Sequence, residues 1–191
     1  MSIILASKSP RRKELLSMLG VKFDICVSNE DESINPELTY EELVKDIALK
    51  KVLAVKRSAN ISDDLIIGAD TIVVCNGEIF GKPKDQNDAR RMLTALSGNR
   101  HEVYSGIAAI YKGNTACDAE RTEVFFRTLS NKEIDSYIKT GEPMDKAGAY
   151  GIQGLGSVFI RRIEGDFFNV MGLPLCKLTE MIKNEFGVTL Y

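Results

Sequence analysis

Residues 65–80 read Leu65-Ile66-Ile67-Gly68-Ala69-Asp70-Thr71-Ile72-Val73-Val74-Cys75-Asn76-Gly77-Glu78-Ile79-Phe80, and the fold follows from this stretch. The apolar, β-branched run from Leu65 to Cys75 predicts a long strand. Asn76-Gly77 is the strongest short hairpin signal, because both residues tolerate the positive φ of a tight turn. Glu78 to Phe80 then returns beside the strand it left. A long strand with a hairpin partner means that the sheet holds antiparallel pairs.

Upstream, Ile3 to Ala6 is a short apolar run that stops at Ser7-Lys8-Ser9-Pro10. Ser9 is placed to cap a helix whose first position is Pro10, and Gly20 stands where a C-terminal glycine belongs. Val21 to Val27 reads as a second strand. Thr39-Tyr40-Glu41-Glu42 is a capping box for a helix to about Arg57. Downstream, Asp85 to Leu96 is helical, and Val103–Tyr111 and Thr115–Arg127 are strands joined around Gly113-Asn114. Ser130-Asn131-Lys132-Glu133 is a second capping box. Val158–Ile163 and Phe167–Met171 read as a hairpin through Glu164-Gly165-Asp166, and Leu173–Phe186 as the last helix. Strands and helices mix without strict alternation, so the expected class is α/β with a mixed, partly antiparallel central sheet flanked by helices. Neither a Rossmann glycine fingerprint nor a P-loop is present.

The 191 residues, 44% hydrophobic and 27% charged, suit one globular domain or at most two small lobes sharing a cleft. Twenty-five Lys plus Arg against 27 Asp plus Glu leave a net charge of −2. No bulk basic field therefore favours nucleic acid or a membrane surface, and any anion site must be local. Cys26, Cys75, Cys117 and Cys176 form no C-x-x-C pair and read as separate reduced thiols, which points to the cytoplasm. His101 is the single histidine, which excludes a His-rich zinc site, and it reads as structural. The N-terminus has no signal-peptide pattern, and no stretch approaches the roughly 18–20 apolar residues of a spanning helix.

Three segments break the local rules. Arg11, Arg12 and Lys13 put three cations in the first turn of a helix, against its dipole. Either the turn is merely solvated, or an anion sits there on backbone N–H groups, the Ser7 and Ser9 hydroxyls and the arginines; a polyphosphate suits it. Asp70 is a carboxylate inside the most apolar strand, so it is paired with a core arginine, caps a neighbouring backbone amide, binds a divalent metal or activates water. Gly68 and Ala69 before it leave room for a ligand to approach the backbone. Finally, residues 142–156, Glu-Pro-Met-Asp-Lys-Ala-Gly-Ala-Tyr-Gly-Ile-Gln-Gly-Leu-Gly, carry four glycines in nine residues. This is either a flexible connection or a segment whose backbone donors reach a ligand, with Gln153 offering a donor and an acceptor.

Together these stretches resemble the Maf family, the septum-formation-inhibitor group of nucleoside triphosphate pyrophosphatases. The matching segments are Leu5-Ala6-Ser7-Lys8-Ser9-Pro10-Arg11-Arg12, Gly68-Ala69-Asp70-Thr71, Gly81-Lys82-Pro83, Leu96-Ser97-Gly98 with His101, Gly141-Glu142-Pro143 through Gly154, and Asn169-Val170-Met171-Gly172-Leu173-Pro174. The resemblance runs from residue 3 to about 186. It implies one domain over 1–191, with two lobes around a cleft in an inosine-triphosphate-pyrophosphatase-like architecture. It also implies cleavage of a nucleoside triphosphate between the α and β phosphates with Mg²⁺ or Mn²⁺. Carried over by motif, Asp70 is the proton acceptor and a metal ligand, with Glu32 as a second metal ligand from a loop where Glu30 or Asp31 could serve instead. Ser7, Arg11, Arg12, Lys13, Lys51 and Lys82 surround the triphosphate. Arg12, Thr71 and Gln153 match the specificity positions of the subgroup acting on dTTP and UTP. Two alternatives stand beside this: a regulator of septum formation with incidental hydrolysis, and the same reaction on 7-methyl-GTP. The partner implied is the nucleotide, with neither nucleic acid nor membrane; a homodimer is allowed by the sequence and not read from it.

Overall fold

A computed structural model describes residues 1–27, 35–59 and 64–191. Seven strands form one mixed sheet, β1 (Ile3–Leu5), β2 (Asp24–Ile25), β3 (Leu65–Cys75), β4 (Glu78–Phe80), β5 (Arg100–Tyr111), β6 (Asn114–Phe126) and β7 (Ile160–Glu164). Six helices accompany them among the described residues: α1 (Pro10–Ser17), α2 (Tyr40–Ala59), α3 (Gln86–Leu96), α4 (Asn131–Lys139), α5 (Phe167–Met171) and α6 (Leu175–Phe186). The hydrogen-bonded order is β2-β1-β3-β5-β6-β7, with β4 paired to β3. β1 runs parallel to both β2 and β3, with Ile4 opposite Ile66 and Leu5 opposite Ile67. β3/β4 and β6/β7 are antiparallel. The expected mixed α/β class is the observed one.

The turn chemistry behaves as the sequence predicts. Asn76 and Gly77 take φ of 52° and 80°, the pair of positive values that a two-residue hairpin between right-twisted strands requires. Lys112 and Gly113 repeat this at 47° and 83° between β5 and β6, one residue earlier than expected. Both capping boxes form: Thr39 exchanges hydrogen bonds with Glu42, and Ser130 with Glu133. Three expectations need correction. The strand expected over 21–27 is confined to Asp24–Ile25. Val158 lies in a 3₁₀ turn over Leu155–Phe159, so β7 begins at Ile160. Phe167–Met171 is a helix and not the return strand of a hairpin. Asp166 explains the last, because its carboxylate accepts the Phe168 N–H and its carbonyl the Val170 N–H, as a helix start demands.

Contacts group the chain into two compact units. The first comprises Met1–Asp70, Ser105–Glu120 and Gly172–Tyr191; the second comprises Thr71–Tyr104 and Arg121–Met171. In the first, α2 lies on the sheet through Ala48, Val52 and Val55, packed with Ile4, Ile66, Ala108 and Ile110. Two glycines permit that approach. A Cβ on Gly106 would stand 2.1 Å from the Val44 carbonyl oxygen, and one on Gly68 would stand 2.6 Å from Val52 Cγ1. In the second unit, α3 and α4 enclose Phe80, Leu93, Leu96, Val124, Phe126 and Phe159. His101 belongs to that core. No helix among the described residues is long and apolar enough to cross a membrane.

Candidate active site

Ser7 lies two residues beyond Leu5 at the carboxyl end of β1, and Asp70 lies in mid-β3, three residues past Ile67, where the parallel pairing with β1 ends. β1 is flanked by β2 on one side and β3 on the other, which makes its carboxyl end a topological switch point. In open α/β sheets ligands bind at such points, because the flanking connections diverge there.

At this end α1 begins under Ser9, whose hydroxyl accepts the Arg12 N–H at 3.5 Å, with Pro10 in the first turn. Ser7 is buried, and its Oγ accepts from the Ser9 N–H at 3.2 Å and from Arg12 Nη1 at 3.4 Å. Arg12 Nε donates to the Gly172 carbonyl at 2.8 Å. A merely solvated basic turn does not describe Arg12, which is half-buried and held from both sides. Arg11 is half-buried and Lys13 exposed.

Asp70 is the carboxylate that an apolar strand ought not to carry, and its partner is a lysine of α2 rather than the expected core arginine. Lys51 Nζ donates to Asp70 Oδ1 at 2.6 Å, with the side chains 16% and 13% exposed. Lys50, its neighbour on α2, turns outward to Asp46 at 2.6 Å. Gly68 explains how Lys51 gets there: without a side chain, β3 lets α2 close on it one turn from the pair. The room expected beside Gly68 is therefore filled by Val52 and Ala48 and not left to a ligand.

A divalent cation fits these residues on one condition. No group of three His, Cys, Asp or Glu side chains that could hold a metal occurs among the described residues. Glu32, with Glu30 and Asp31, lies outside the described residues. Mg²⁺ keeps several waters and takes one or two carboxylates plus substrate phosphates, so Asp70 suffices when a triphosphate completes the shell.

Thr71, Lys82 and Gln153 belong to the second unit. Thr71 is half-buried in β3; Lys82 and Gln153 are exposed. The Gly81 carbonyl just before Lys82 accepts the Gly148 N–H at 3.1 Å, which ties that turn to the start of the glycine-rich segment. That segment is not a flexible connection. Glu142 Oε1 accepts from the Gly156 N–H at 3.1 Å and the Tyr137 hydroxyl at 2.9 Å, and Oε2 from the Leu155 N–H at 3.0 Å. The Gly151 N–H donates to the Tyr137 hydroxyl at 3.2 Å. Burial pushes the Glu142 carboxyl up, yet these N–H donors and the Tyr137 hydroxyl outweigh it and hold the group below its ordinary range. The glycines thus bring backbone donors to an internal carboxylate. Glu142 was assigned no role in the sequence-based expectations, although it stands in the matching segment Gly141-Glu142-Pro143, just ahead of a run of glycines. His101, as expected, is structural: burial lowers its pKa to about 3, and Nε2 lies 2.8 Å from the Tyr150 hydroxyl.

A model of the family described as Maf-like protein matches residues 2–185. A Bacillus cereus protein named dTTP/UTP pyrophosphatase is 50% identical over 186 residues, 97% of this chain and 96% of that protein. A Bacillus anthracis protein of the same name is 49% identical over 186 residues, with the same shares covered. Among solved structures, the Staphylococcus aureus Ham1 protein aligns with a TM-score of 0.46 at 14% identity, over 66% of this chain and 72% of that one.

Proposed function

Since the chain belongs to the Maf family, we propose that it hydrolyses dTTP and UTP to the nucleoside monophosphate and pyrophosphate. The observation that carries this reading is the Lys51–Asp70 pair in mid-β3, just past the carboxyl end of the neighbouring β1 and in the same unit as Ser7 and Arg12. A carboxylate within reach of water is a proton acceptor, and cations beside it select a polyanionic substrate.

Asp70 accepts the proton of the water that attacks the α phosphorus, and the α–β anhydride bond breaks with pyrophosphate as leaving group. Lys51 holds the carboxylate in place through the 2.6 Å contact. Ser7, Arg11, Arg12, Lys13 and Lys82 bind phosphate oxygens; Arg12, Thr71 and Gln153 set the choice of base. Mg²⁺ or Mn²⁺ would be held by Asp70 with Glu32, or Glu30 or Asp31 in its place, and would supply neutralisation of the triphosphate charge. A glutamine amide pairs with the N3–H and O4 edge of uracil or thymine, which gives pyrimidine choice a physical basis. We assign residues 1–191 to one pyrophosphatase domain and the reaction to the cytosol, which the four free cysteines support.

Incubation with UTP or dTTP and Mg²⁺ tests this by product identification. Monophosphate and pyrophosphate in equal amounts are expected. Diphosphate with orthophosphate would overturn the bond assignment, and turnover of purine triphosphates in preference would overturn the substrate.

A further inference from the structure

Gln153 is exposed, and among the described residues no hydrogen bond holds its amide. The position from which it is presented is therefore set by the backbone on either side. That backbone is fixed to a degree that an exposed, glycine-rich stretch does not normally reach. Gly151 and Gly154, the glycines flanking Ile152 and Gln153, are each locked to a neighbour. The Gly151 N–H bonds the Tyr137 hydroxyl at 3.2 Å, and a Cβ there would lie 2.8 Å from Lys146 Cε. Gly154 takes φ +96°, and a Cβ there would lie 2.9 Å from Glu142 Oε2. Beyond Gln153, the Leu155 and Gly156 N–H groups both end on the Glu142 carboxylate. Lys146 adds a further tie, donating to the Glu142 carbonyl at 2.7 Å.

We infer that Glu142, braced by Tyr137, is a positioning residue for substrate choice, since its carboxylate fastens residues 151–156 and so presents Gln153 from a single backbone position. The inference rests on the reading of Gln153 as the base-recognition residue. From a fixed backbone position the amide has the reach that fits the N3–H and O4 of uracil; on a loose segment that fit is lost, and with it the preference over the N3 and exocyclic amine of cytosine. Backbone N–H bonds to a charged acceptor are stronger than neutral ones, so a neutral amide in place of Glu142 weakens the anchor without emptying the space. Glu142 touches no substrate in this scheme and acts only through Gln153.

The test compares Glu142→Gln, Tyr137→Phe and Gln153→Ala with the parent protein. It measures kcat and KM for UTP and CTP, inhibition by inorganic pyrophosphate, and Tm. For Glu142→Gln the ratio of kcat/KM for UTP over CTP is expected to fall about tenfold through KM. Tyr137→Phe is expected to move it in the same direction, with pyrophosphate inhibition unchanged in both. An unchanged ratio in both variants, while Gln153→Ala lowers it, overturns the positioning role alone. A loss of pyrophosphate inhibition in proportion to the loss of UTP binding also overturns it, because that marks general damage. An unchanged ratio in Gln153→Ala itself overturns the base reading, and the positioning role falls with it.

Discussion

Asp70 was conspicuous in the sequence because a strand of Leu, Ile and Val has no use for a carboxylate. Its partner was not. Lys51 lies 19 residues earlier on a helix beside a second lysine, and nothing in the local pattern separates the two. The family resemblance singled out Lys51 for the triphosphate and not for Asp70; the packing of α2 sends Lys50 to Asp46 and Lys51 to Asp70. The two residues of the pair make different predictions. Asp70→Asn keeps size and one acceptor oxygen but cannot take a proton. Turnover of UTP, followed by pyrophosphate release, is expected to fall about 10²–10⁴-fold, the range for removing a general base, while nucleotide binding by calorimetry persists. Lys51→Met instead strands a carboxylate that is 13% exposed. Urea unfolding is expected to show a loss of about 1–3 kcal/mol, the cost of leaving a mostly buried charged group without its donor. A Lys51→Met protein as stable as the parent would mean that water replaces the ammonium.

Helix α2 is the element on which that pair depends, and its fit against the sheet is decided by two glycines on neighbouring strands. Gly106 meets backbone: a Cβ would lie 2.1 Å from the Val44 carbonyl oxygen and 2.6 Å from the Lys45 nitrogen. Gly68 meets mainly a side chain, Val52 Cγ1 at 2.6 Å, which can rotate or shift. Gly106→Ala should therefore cost about 3 kcal/mol or more and Gly68→Ala about 1–2 kcal/mol, as overpacking against rigid and yielding neighbours respectively. Equilibrium unfolding of the two variants checks the order, and the reverse order would refute the packing argument. What could be read from sequence at this scale was whatever is encoded within four residues: the Asn76-Gly77 turn, both capping boxes, the Ser9-Pro10 helix start. Elements decided by distant partners could not be read. Phe167–Met171 has a strand-like run of apolar residues after a turn signal, yet Asn169 donates to the Val103 carbonyl and to Thr122 Oγ1 from a helix. Those partners lie 66 and 47 residues away in the chain. Glu142 escaped for the same reason, since its two backbone donors are 13 and 14 residues downstream.

At the scale of the whole molecule, a net charge of −2 excluded a broad basic surface but said nothing about how stability responds to pH, which depends on single buried groups. His101 is 2% exposed, with its ring edge-on to Phe126 at 5.1 Å and to Tyr150 at 5.3 Å. Burial lowers its pKa from 6.5 to about 3, with no charged partner to offset the cost of protonation. Tyr150, the group on its Nε2, is itself pushed up by burial and stays neutral throughout the acid range. As pH falls through 6.5 the unfolded chain takes up a proton that the folded chain refuses until about 3. The unfolded state thus binds more protons, and stability is full above this window and is lost downward through it, at about 1.4 kcal/mol per pH unit for one group. Glu133 acts in the same sense but later. The Arg127 hydrogen bond, then the Ser130 N–H and hydroxyl, lower its pKa from 4.5 to about 2, so its contribution is lost only below 4.5. Between pH 6.5 and 5 the slope therefore belongs to the chain's single histidine. His101→Gln, which keeps a neutral partner for Tyr150, should flatten the dependence of unfolding free energy on pH in that interval. The one histidine C2 proton resonance of the folded parent should not titrate above pH 4. Parallel stability curves for parent and variant, or a resonance that moves near pH 6.5, would show that solvent reaches the ring and that another group governs acid stability.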